Sequence, residues 1–173
     1  MVIQARTSST RLPAKVLLPI KSIPIVILAS KRAANTGKKL VVVTSSEETD
    51  DVLCSELKKH KLGFYRGSLE NVLGRIVSSM IGLSGKTIVF RLTADNTFPD
   101  GKLLDKLEKE FIDLKLKYLH CNGHKSGLPY GVCVEVTRLE YLREAIENTT
   151  LKYDLEHVTP YIQRKYGDYY YSH

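Results

Sequence analysis

The sequence VIQARTSSTRLPAK, residues 2–15, decides the predicted fold. Its first four residues are mostly apolar, include the β-branched Val2 and Ile3, and predict a short buried strand that ends at Ala5. The residues at 6–15 carry several hydroxyls, two arginines and a lysine. In a parallel sheet covered by helices, ligands collect beyond the carboxyl ends of the strands. The segment therefore predicts a first strand followed either by a solvated basic loop or by a polyphosphate-binding loop, because arginine pairs with phosphate oxygens and lysine adds a point charge.

The rest of the chain alternates apolar, β-branched runs with segments of helical periodicity, which is typical of an α/β protein with a mainly parallel sheet. We predict further strands at 40–44, 64–66, 87–93 and 132–136. We predict helices at 24–35, 46–62, 69–83, 100–115, 139–147 and 155–164, and a long loop at 122–130. A chain of 173 residues fits a single domain, residues 1–173.

The composition excludes several classes of protein. Lys and Arg number 26 and Asp and Glu 19, a net charge of +7, and 43% of the residues are hydrophobic, as in an ordinary globular protein. The longest apolar stretch, 23–29, is far shorter than the roughly 20 residues that a membrane helix needs, so we expect no membrane partner. The first residues lack the apolar segment of a secretion signal, and the three cysteines are widely spaced. We therefore expect a cytoplasmic protein with reduced thiols.

The positive charge does not form a single nucleic-acid footprint. Basic clusters at 31–39 and 58–61 are offset by alternating acidic and basic residues at 102–117, and no zinc-finger or RNA-recognition spacing occurs. A nucleic-acid partner is therefore not favoured. The chain also lacks the G-x-x-x-x-G-K-[ST] and G-x-G-x-x-G motifs, so neither a P-loop nucleoside triphosphatase nor a Rossmann dehydrogenase is supported.

Several blocks of the sequence, taken in order, resemble one family. The runs IQAR (3–6), STRLP (9–13) and LLP (17–19), with Lys15 between them, closely resemble the opening of the cytidylyltransferase family of spore-coat polysaccharide biosynthesis proteins, SpsF type. That family belongs with the CMP-KDO and CMP-sialic acid synthetases. The matching blocks that follow are YRGS (65–68), VLGR (72–75), RLTAD (91–95) and EHVTPYI (156–162).

The resemblance implies a fold and an activity. The implied fold is a GT-A-like (Rossmann-like) three-layer sandwich of the nucleotide-diphospho-sugar transferase type. The implied activity uses CTP and Mg²⁺ to activate a sugar or sugar acid for a cell-surface polysaccharide, such as a spore coat, and releases pyrophosphate. Negative charge develops on the phosphate in such a reaction, so fixed cations stabilise the transition state.

The resemblance also implies roles for particular residues. Arg11 and Lys15 are the implied catalytic cations, which hold the triphosphate. Asp95 and Glu135 are the implied Mg²⁺ ligands, since Mg²⁺ favours carboxylate and phosphate oxygens. The implied nucleotide-binding residues are Ala5, Arg6, Ser8, Ser9, Thr10, Arg66, Ser68, Arg75 and Thr93. The implied sugar-binding residues are Glu156 and His157.

Simpler roles stay open for several of these residues. Asp95 could be a turn carboxylate, and Arg75 could be a salt-bridged helix residue. His157 could be a packed, hydrogen-bonded histidine, and Glu135 could face outward from its strand.

The sequence departs from the family pattern at positions that matter for catalysis. Cys133 stands where an aspartate is expected, and a thiol is a poor Mg²⁺ ligand. Ser8 and Ala14 replace glycines of the phosphate loop, which restricts the backbone there. The family pattern continues past residue 162 for several elements, so we expect part of the usual C-terminal portion to be missing and bare apolar surface to be buried in a homodimer. A catalytically degenerate member that binds a nucleotide or a protein partner is therefore the alternative to an active transferase.

Overall fold

The order of strands and helices follows the predicted α/β alternation. The computed structural model describes residues 1–9 and 11–172. The strands are β1 Val2–Gln4, β2 Pro19–Ile20, β3 Ile23–Pro24, β4 Val41–Ser45, β5 Phe64–Gly67, β6 Ile88–Thr93, β7 Tyr118–His120 and β8 Glu135–Arg138. The helices are α1 Ile25–Ala33, α2 Asp51–Lys59, α3 Val72–Ser78, α4 Gly101–Asp113, α5 Leu139–Asn148, α6 Lys152–His157 and α7 Pro160–Tyr166. Short 3-10 turns lie at Lys15–Leu17, Glu48–Asp50 and His124–Ser126.

Most of the strands form one sheet, in the order β5-β4-β1-β6-β8-β7. The strands β5, β4, β1 and β6 are parallel, whereas β8 runs antiparallel to both of its neighbours. The prediction of a mainly parallel sheet is therefore confirmed. The chain extends the sheet from β1 in one direction through β4 and β5, and then in the other direction from β6. The carboxyl ends of β1 and β6 thus meet at a topological switch point, where ligands bind in open α/β sheets.

Helices cover both faces of this sheet, because successive side chains of a strand point to opposite faces. On one face, Ile3 of β1 belongs to an apolar cluster with Leu57 of α2 and Leu104 of α4. On the other face, Val2 belongs to a cluster with Leu73 of α3 and with residues of α5 and α7. The structure therefore has the three layers that the resemblance implies.

The helix predicted at 69–83 is shorter in the structure and consists of α3 alone. Asn71 caps its N-terminus, because the side-chain Oδ1 accepts a hydrogen bond from the N–H of Gly74 at 2.7 Å. After Ser78 the chain continues in turns that place Met80 in the core and reach Gly82 at a φ of +85°. The apolar spacing that predicts a helix over residues 79–83 thus comes from buried turn residues such as Met80.

The helix predicted at 155–164 is in fact two helices, α6 and α7. The chain bends at Val158, where φ is 76°, and Pro160 begins α7 at a position where its missing N–H breaks no hydrogen bond. The strand predicted at 132–136 begins later, at the start of β8. The sequence does not predict β7 or the β2–β3 hairpin, whose strands are too short for a recognisable alternation. None of the helices within the described residues has the length and apolar character of a membrane span.

Candidate functional site

A cleft of about 510 Å³ opens beyond the carboxyl ends of β1 and β6. Its volume lies within the usual range for small-molecule sites, about 300–1,000 Å³. The cleft is therefore located at the switch point of the sheet and is large enough for a nucleotide. The predicted site residues that line it are Ala5, Arg6, Ser9, Arg11, Lys15, Arg75, Thr93, Asp95, Glu135, Glu156 and His157.

Three described residues that the resemblance assigns to nucleotide binding, Ser8, Arg66 and Ser68, do not line the cleft. Arg66 donates from Nε to the carbonyl of Ser45 at 2.9 Å and from Nη1 to Oδ1 of Asp51 at 2.6 Å. Its guanidinium is thus engaged in fastening the loop between β4 and α2. Thr10, which the resemblance also assigns to nucleotide binding, lies outside the described residues.

Asp50 anchors the base of the loop at 6–15. The carboxylate is fully buried, and its Oδ1 accepts a hydrogen bond from the N–H of Thr7 at 2.7 Å. Its Oδ2 accepts hydrogen bonds from the hydroxyl of Thr44 at 2.8 Å and from the N–H of Ser45 at 3.0 Å. Burial raises the pKa of Asp50, but hydrogen bonds from Ser45, Thr7 and Thr44 outweigh burial and hold that pKa below its ordinary value. An ionised carboxylate therefore ties the start of the loop to the end of β4.

Thr7, which Asp50 holds, in turn fixes later residues of the loop. Its carbonyl accepts hydrogen bonds from the N–H of Ser9 at 2.9 Å and from the N–H of Ala14 at 2.8 Å. Ala14 adopts a left-handed conformation, with φ 55° and ψ 19°, and the 3-10 turn that carries Lys15 follows it directly. The glycine that the family pattern places at position 14 is thus explained by the backbone, and alanine adopts the same conformation here at some energetic cost.

Lys15 and Asp95 form an ion pair in the cleft. The Nζ of Lys15 lies 2.5 Å from Oδ2 of Asp95, and the two side chains are 27% and 46% exposed. Burial raises the pKa of Asp95, but hydrogen bonds from Lys15 and Thr93 lower it more, so the carboxylate is ionised. The loop after β1 and the end of β6 are therefore joined by two opposite charges that solvent and ligands can reach.

Arg75 presents a buried cation to the cleft. Its side chain is only 3% exposed, and its Nη1 donates to the carbonyl of Ser68 at 2.7 Å. Among the described residues, no carboxylate pairs with Arg75 and its Nε has no hydrogen-bond partner. Burial lowers the pKa of Arg75, since it disfavours the charged form. The salt-bridged alternative for Arg75 is thus not observed, and an anion in the cleft could satisfy this guanidinium.

Glu135 is buried in a hydrogen-bond network at the edge of the cleft. Its Oε2 is paired with the guanidinium of Arg91, and its Oε1 accepts hydrogen bonds from the hydroxyls of Tyr118 and Thr159, both at 2.9 Å. Burial and the neighbouring carboxylate raise the pKa of Tyr118, so the phenol stays protonated and donates. Burial raises the pKa of Glu135, but Arg91 and the two hydroxyls hold it below its ordinary value. The outward-facing alternative for Glu135 is therefore not observed.

The carboxylates of the cleft fit the implied Mg²⁺ to different degrees. Asp95 fits, because it is accessible and Mg²⁺ commonly binds one or two carboxylates together with substrate phosphates and water. Glu135 does not fit in this arrangement, because both of its oxygens already accept hydrogen bonds from protein groups. Cys133 also lines the cleft, but its thiol does not suit a hard cation. Within the described part of the chain, no group of three or more His, Cys, Asp or Glu residues could hold a metal ion by itself.

Glu156 and His157 form part of another wall of the cleft, at the end of α6. Both residues are exposed, and the ring of His157 lies 4.3 Å from the ring of Tyr153. His157 thus packs against an aromatic ring, but the hydrogen-bonded alternative is not observed among the described residues. A ligand in the cleft can reach both side chains.

Several residues that build the site were not predicted from the sequence. Thr7 and Asp50 hold the loop at 6–15. Gln4 and Arg91 line the cleft, and the guanidinium of Arg91 donates two hydrogen bonds, of 3.0 and 2.8 Å, to Oε1 of Gln4. Thr7 and Asp50 each follow the carboxyl end of a parallel strand within a few residues. Their positions shortly after strand ends, together with their hydroxyl and carboxyl side chains, were the signal by which the sequence could have indicated a role in the site.

The fold and the cleft define a class of protein: an α/β domain of Rossmann-like architecture, with a cleft and a cation-rich loop at the switch point of its sheet. A family model described as Cytidylyltransferase matches residues 1–173, so the chain belongs to the cytidylyltransferase family. The resemblance drawn from the sequence blocks is thereby confirmed.

Similarity to individual proteins supports the same family. The chain is 36% identical over 169 residues to the spore coat polysaccharide biosynthesis protein SpsF of Bacillus subtilis (strain 168), a match that covers 94% of this chain and 68% of that protein. It is 31% identical over 118 residues to the 3-deoxy-manno-octulosonate cytidylyltransferase of a Nitratiruptor species, with 63% and 45% of the two chains covered. The solved structure of a cytidylyltransferase from Leptospira borgpetersenii serovar Hardjo-bovis matches with a TM-score of 0.88 at 26% identity, over 99% of this chain and 74% of that one.

Proposed function

We propose that this chain binds CTP and transfers its cytidylyl group to a hydroxyl of a sugar or sugar acid, with release of pyrophosphate. The observation that carries the proposal is the loop at 6–15, which Asp50 anchors and which directs Arg6, Arg11 and Lys15 into the cleft. Membership of the cytidylyltransferase family supports CTP as the donor. The names of the SpsF and octulosonate relatives support an acceptor of the sugar type, for a cell-surface polysaccharide.

In the proposed reaction, the acceptor hydroxyl attacks the α-phosphorus of CTP. A bond forms between the hydroxyl oxygen and phosphorus, and the bond from phosphorus to the bridging oxygen breaks. Pyrophosphate leaves with that electron pair, and the hydroxyl proton passes to water. Negative charge grows on the phosphate oxygens, so cations that are already in place lower the barrier. Arg11 and Lys15 suit this role, because both line the cleft beside the pinned loop.

The proposed cofactor is Mg²⁺, held by Asp95 together with the nucleotide. When bound, it would supply positive charge against the phosphate oxygens. Lys15 would then exchange Asp95 for a phosphate oxygen as its partner. Arg75 would supply a further fixed cation, since its buried guanidinium has no carboxylate partner among the described residues.

Calorimetric titration tests the proposal without knowledge of the acceptor. CTP, ATP, GTP and UTP are each titrated with and without Mg²⁺, and we expect CTP to bind at least tenfold more tightly than the other nucleotides when Mg²⁺ is present. Lys15→Ala should weaken CTP binding at least tenfold, because it removes a charge-assisted contact worth about 1.5–3 kcal/mol. Lys21→Ala, at the exposed turn of the β2–β3 hairpin, is the matched control and should bind CTP normally.

Two results would contradict the proposal. If the protein bound none of the nucleotides, the cleft would serve another ligand and the search would turn to protein partners. If Lys15→Ala bound CTP and released pyrophosphate as the unchanged protein does under saturating CTP, the electrostatic role of the loop would be wrong.

A further inference from the structure

The backbone between α6 and α7 is strained at Val158. This residue has φ 76° and ψ −55°, and the N–H of Thr159 donates to the carbonyl of His157 at 2.9 Å across it. This is a γ-turn with positive φ, a rare and strained form, and a β-branched residue is an outlier there. Val158 is also fully buried. Strain of this kind persists only where the surrounding structure fixes it, and it concentrates at functional sites.

Glu135 fixes the turn from the sheet. The hydroxyl of Thr159, the residue directly after Val158, donates to Oε1 of Glu135 at 2.9 Å. The N–H of Val158 donates to the carbonyl of Asp154 at 2.8 Å, which holds the turn from the side of α6. Val158 is therefore held on one side by α6 and on the other side by Glu135, which binds the next residue, Thr159.

The carboxylate is itself held in place. Arg91 of β6 is paired with Oε2 of Glu135, and the hydroxyl of Tyr118 in β7 donates to Oε1 at 2.9 Å. The side-chain amide of Gln163 in α7 donates to the hydroxyl of Tyr118 at 2.7 Å. Glu135 thus connects two neighbouring strands to the chain segments on the far side of the turn.

The residues directly before the strained turn, Glu156 and His157, line the cleft and are exposed. A change in the conformation of Val158 would rotate the end of α6 and move both side chains. The turn therefore determines where this wall of the cleft presents its carboxylate and its imidazole.

We propose that Glu135 is a positioning residue: through Thr159 it holds the strained turn at Val158 and so places Glu156 and His157 on the cleft wall, rather than binding a metal ion. The identification of this wall as the acceptor side of a cytidylyltransferase rests on the proposed function. The placement itself rests on the hydrogen bonds and the backbone angles alone.

Removal of the Thr159 hydroxyl tests the proposal. Thr159→Val keeps the shape of the side chain but removes its donor to Glu135, and Thr159→Ser keeps the hydroxyl. Thr137→Val is the matched control, because Thr137 is also buried and its hydroxyl donates to the carbonyl of Lys117 at 2.8 Å. The measurements are hydrogen exchange of the amides of Val158 and Thr159, and the ring proton shifts of His157, which lies against the ring of Tyr153.

In Thr159→Val, we expect exchange of these two amides to accelerate at least tenfold and the ring-current shift of His157 to diminish. Thr159→Ser should restore both signals, and Thr137→Val should leave both unchanged. The proposal is overturned if Thr159→Val leaves the amides and the His157 ring as they are, or if Thr137→Val moves them equally, since the effect would then be a general loss of stability.

A metal titration tests the second part of the proposal. Line broadening by Mn²⁺ in the presence of CTP should persist in Glu135→Gln and be lost in Asp95→Asn. If Glu135→Gln abolished the broadening while Thr159→Val left it intact, Glu135 would be a metal ligand and the proposal would be wrong. The exchange and ring-shift measurements need no nucleotide, so failure of the unchanged protein to bind CTP would overturn the proposed function alone.

Discussion

Replacement of Asp50 by asparagine should destabilise the protein and loosen the loop at 6–15. Two backbone N–H groups point at the carboxylate from opposite sides, that of Thr7 toward Oδ1 and that of Ser45 toward Oδ2. An asparagine presents one oxygen and one NH₂ group, so one of these N–H groups must face another donor. Hydroxyl donors such as that of Thr44 can rotate, but a backbone N–H cannot.

The expected loss of stability follows from the one backbone N–H group that would face a donor instead of an acceptor. A buried donor left without an acceptor costs about 1–3 kcal/mol, and a hydrogen bond to a charged group is worth about 1.5–3 kcal/mol. We expect Asp50→Asn to lower the free energy of unfolding by about 2–4 kcal/mol. CTP binding should weaken as well, because the loop that carries Arg11 and Lys15 is then held less firmly.

The assay is urea unfolding followed by circular dichroism, with Asp51→Asn as the control. Asp51 is the adjacent residue, but its side chain is 62% exposed and its ion pair with Arg66 is open to solvent. Asp51→Asn should therefore change stability far less than Asp50→Asn. Equal effects of the two substitutions, or a loss below about 0.5 kcal/mol for Asp50→Asn, would refute the reasoning from the buried hydrogen bonds.

The same carboxylate predicts a pH dependence. The pKa of Asp50 is lower in the folded protein than its ordinary value of 3.8. A carboxyl group with a depressed pKa contributes stability that is present above the pKa of the unfolded chain and is lost as the pH falls through the folded pKa. Unfolding free energies measured downward from about pH 5 should therefore fall less steeply below pH 3.8 in Asp50→Asn than in the unchanged protein.

Three further substitutions test other parts of the cleft. Ala14→Gly should stabilise the protein by about 0.5–1 kcal/mol, because relief of the left-handed conformation, about 1–2 kcal/mol, exceeds the entropy that glycine adds to the unfolded chain; a lower urea midpoint would contradict this. Gly67→Ala should weaken CTP binding severalfold in calorimetry, since the new Cβ would lie 3.0 Å from Cγ of Arg75, whereas Gly63→Ala meets no atom within 4 Å and is the control. Cys133→Asp should raise Mg²⁺-dependent pyrophosphate release only modestly; a very large gain would show that the natural chain lacks a working metal site.

The sequence predicted the layers of the fold better than its small elements. The alternation of β-branched runs with helical periods indicated the parallel strands and most helices, because each of them buries a face of recognisable periodicity. The strands of the β2–β3 hairpin contain two residues each, too few to show a period, and β7 has three residues, as β1 has, but none of them is β-branched. The division between α6 and α7 depends on a strained residue, Val158, that propensity disfavours and that only tertiary contacts explain.

The candidate site likewise includes residues that the sequence predicted and contacts that it could not predict. The loop at 6–15 and Asp95 follow strand ends, so the fold class alone brings them to one edge of the sheet. The sequence could not reveal that both oxygens of Glu135 accept hydrogen bonds, from Arg91 and from two hydroxyls, since those partners come from distant parts of the chain. It also could not show that Arg66 turns away from the cleft, because both directions are compatible with its position in β5.

The ion pair between Lys15 and Asp95 has a consequence for the order in which ligands enter the cleft. An anion that takes Lys15 as its partner releases Asp95, and a divalent cation that takes Asp95 releases Lys15. Each ligand therefore removes the competitor of the other, and thermodynamic linkage requires the two affinities to rise by the same factor. Nucleotide and cation should enter as a cooperative pair, so that neither accumulates in the cleft when the other is scarce.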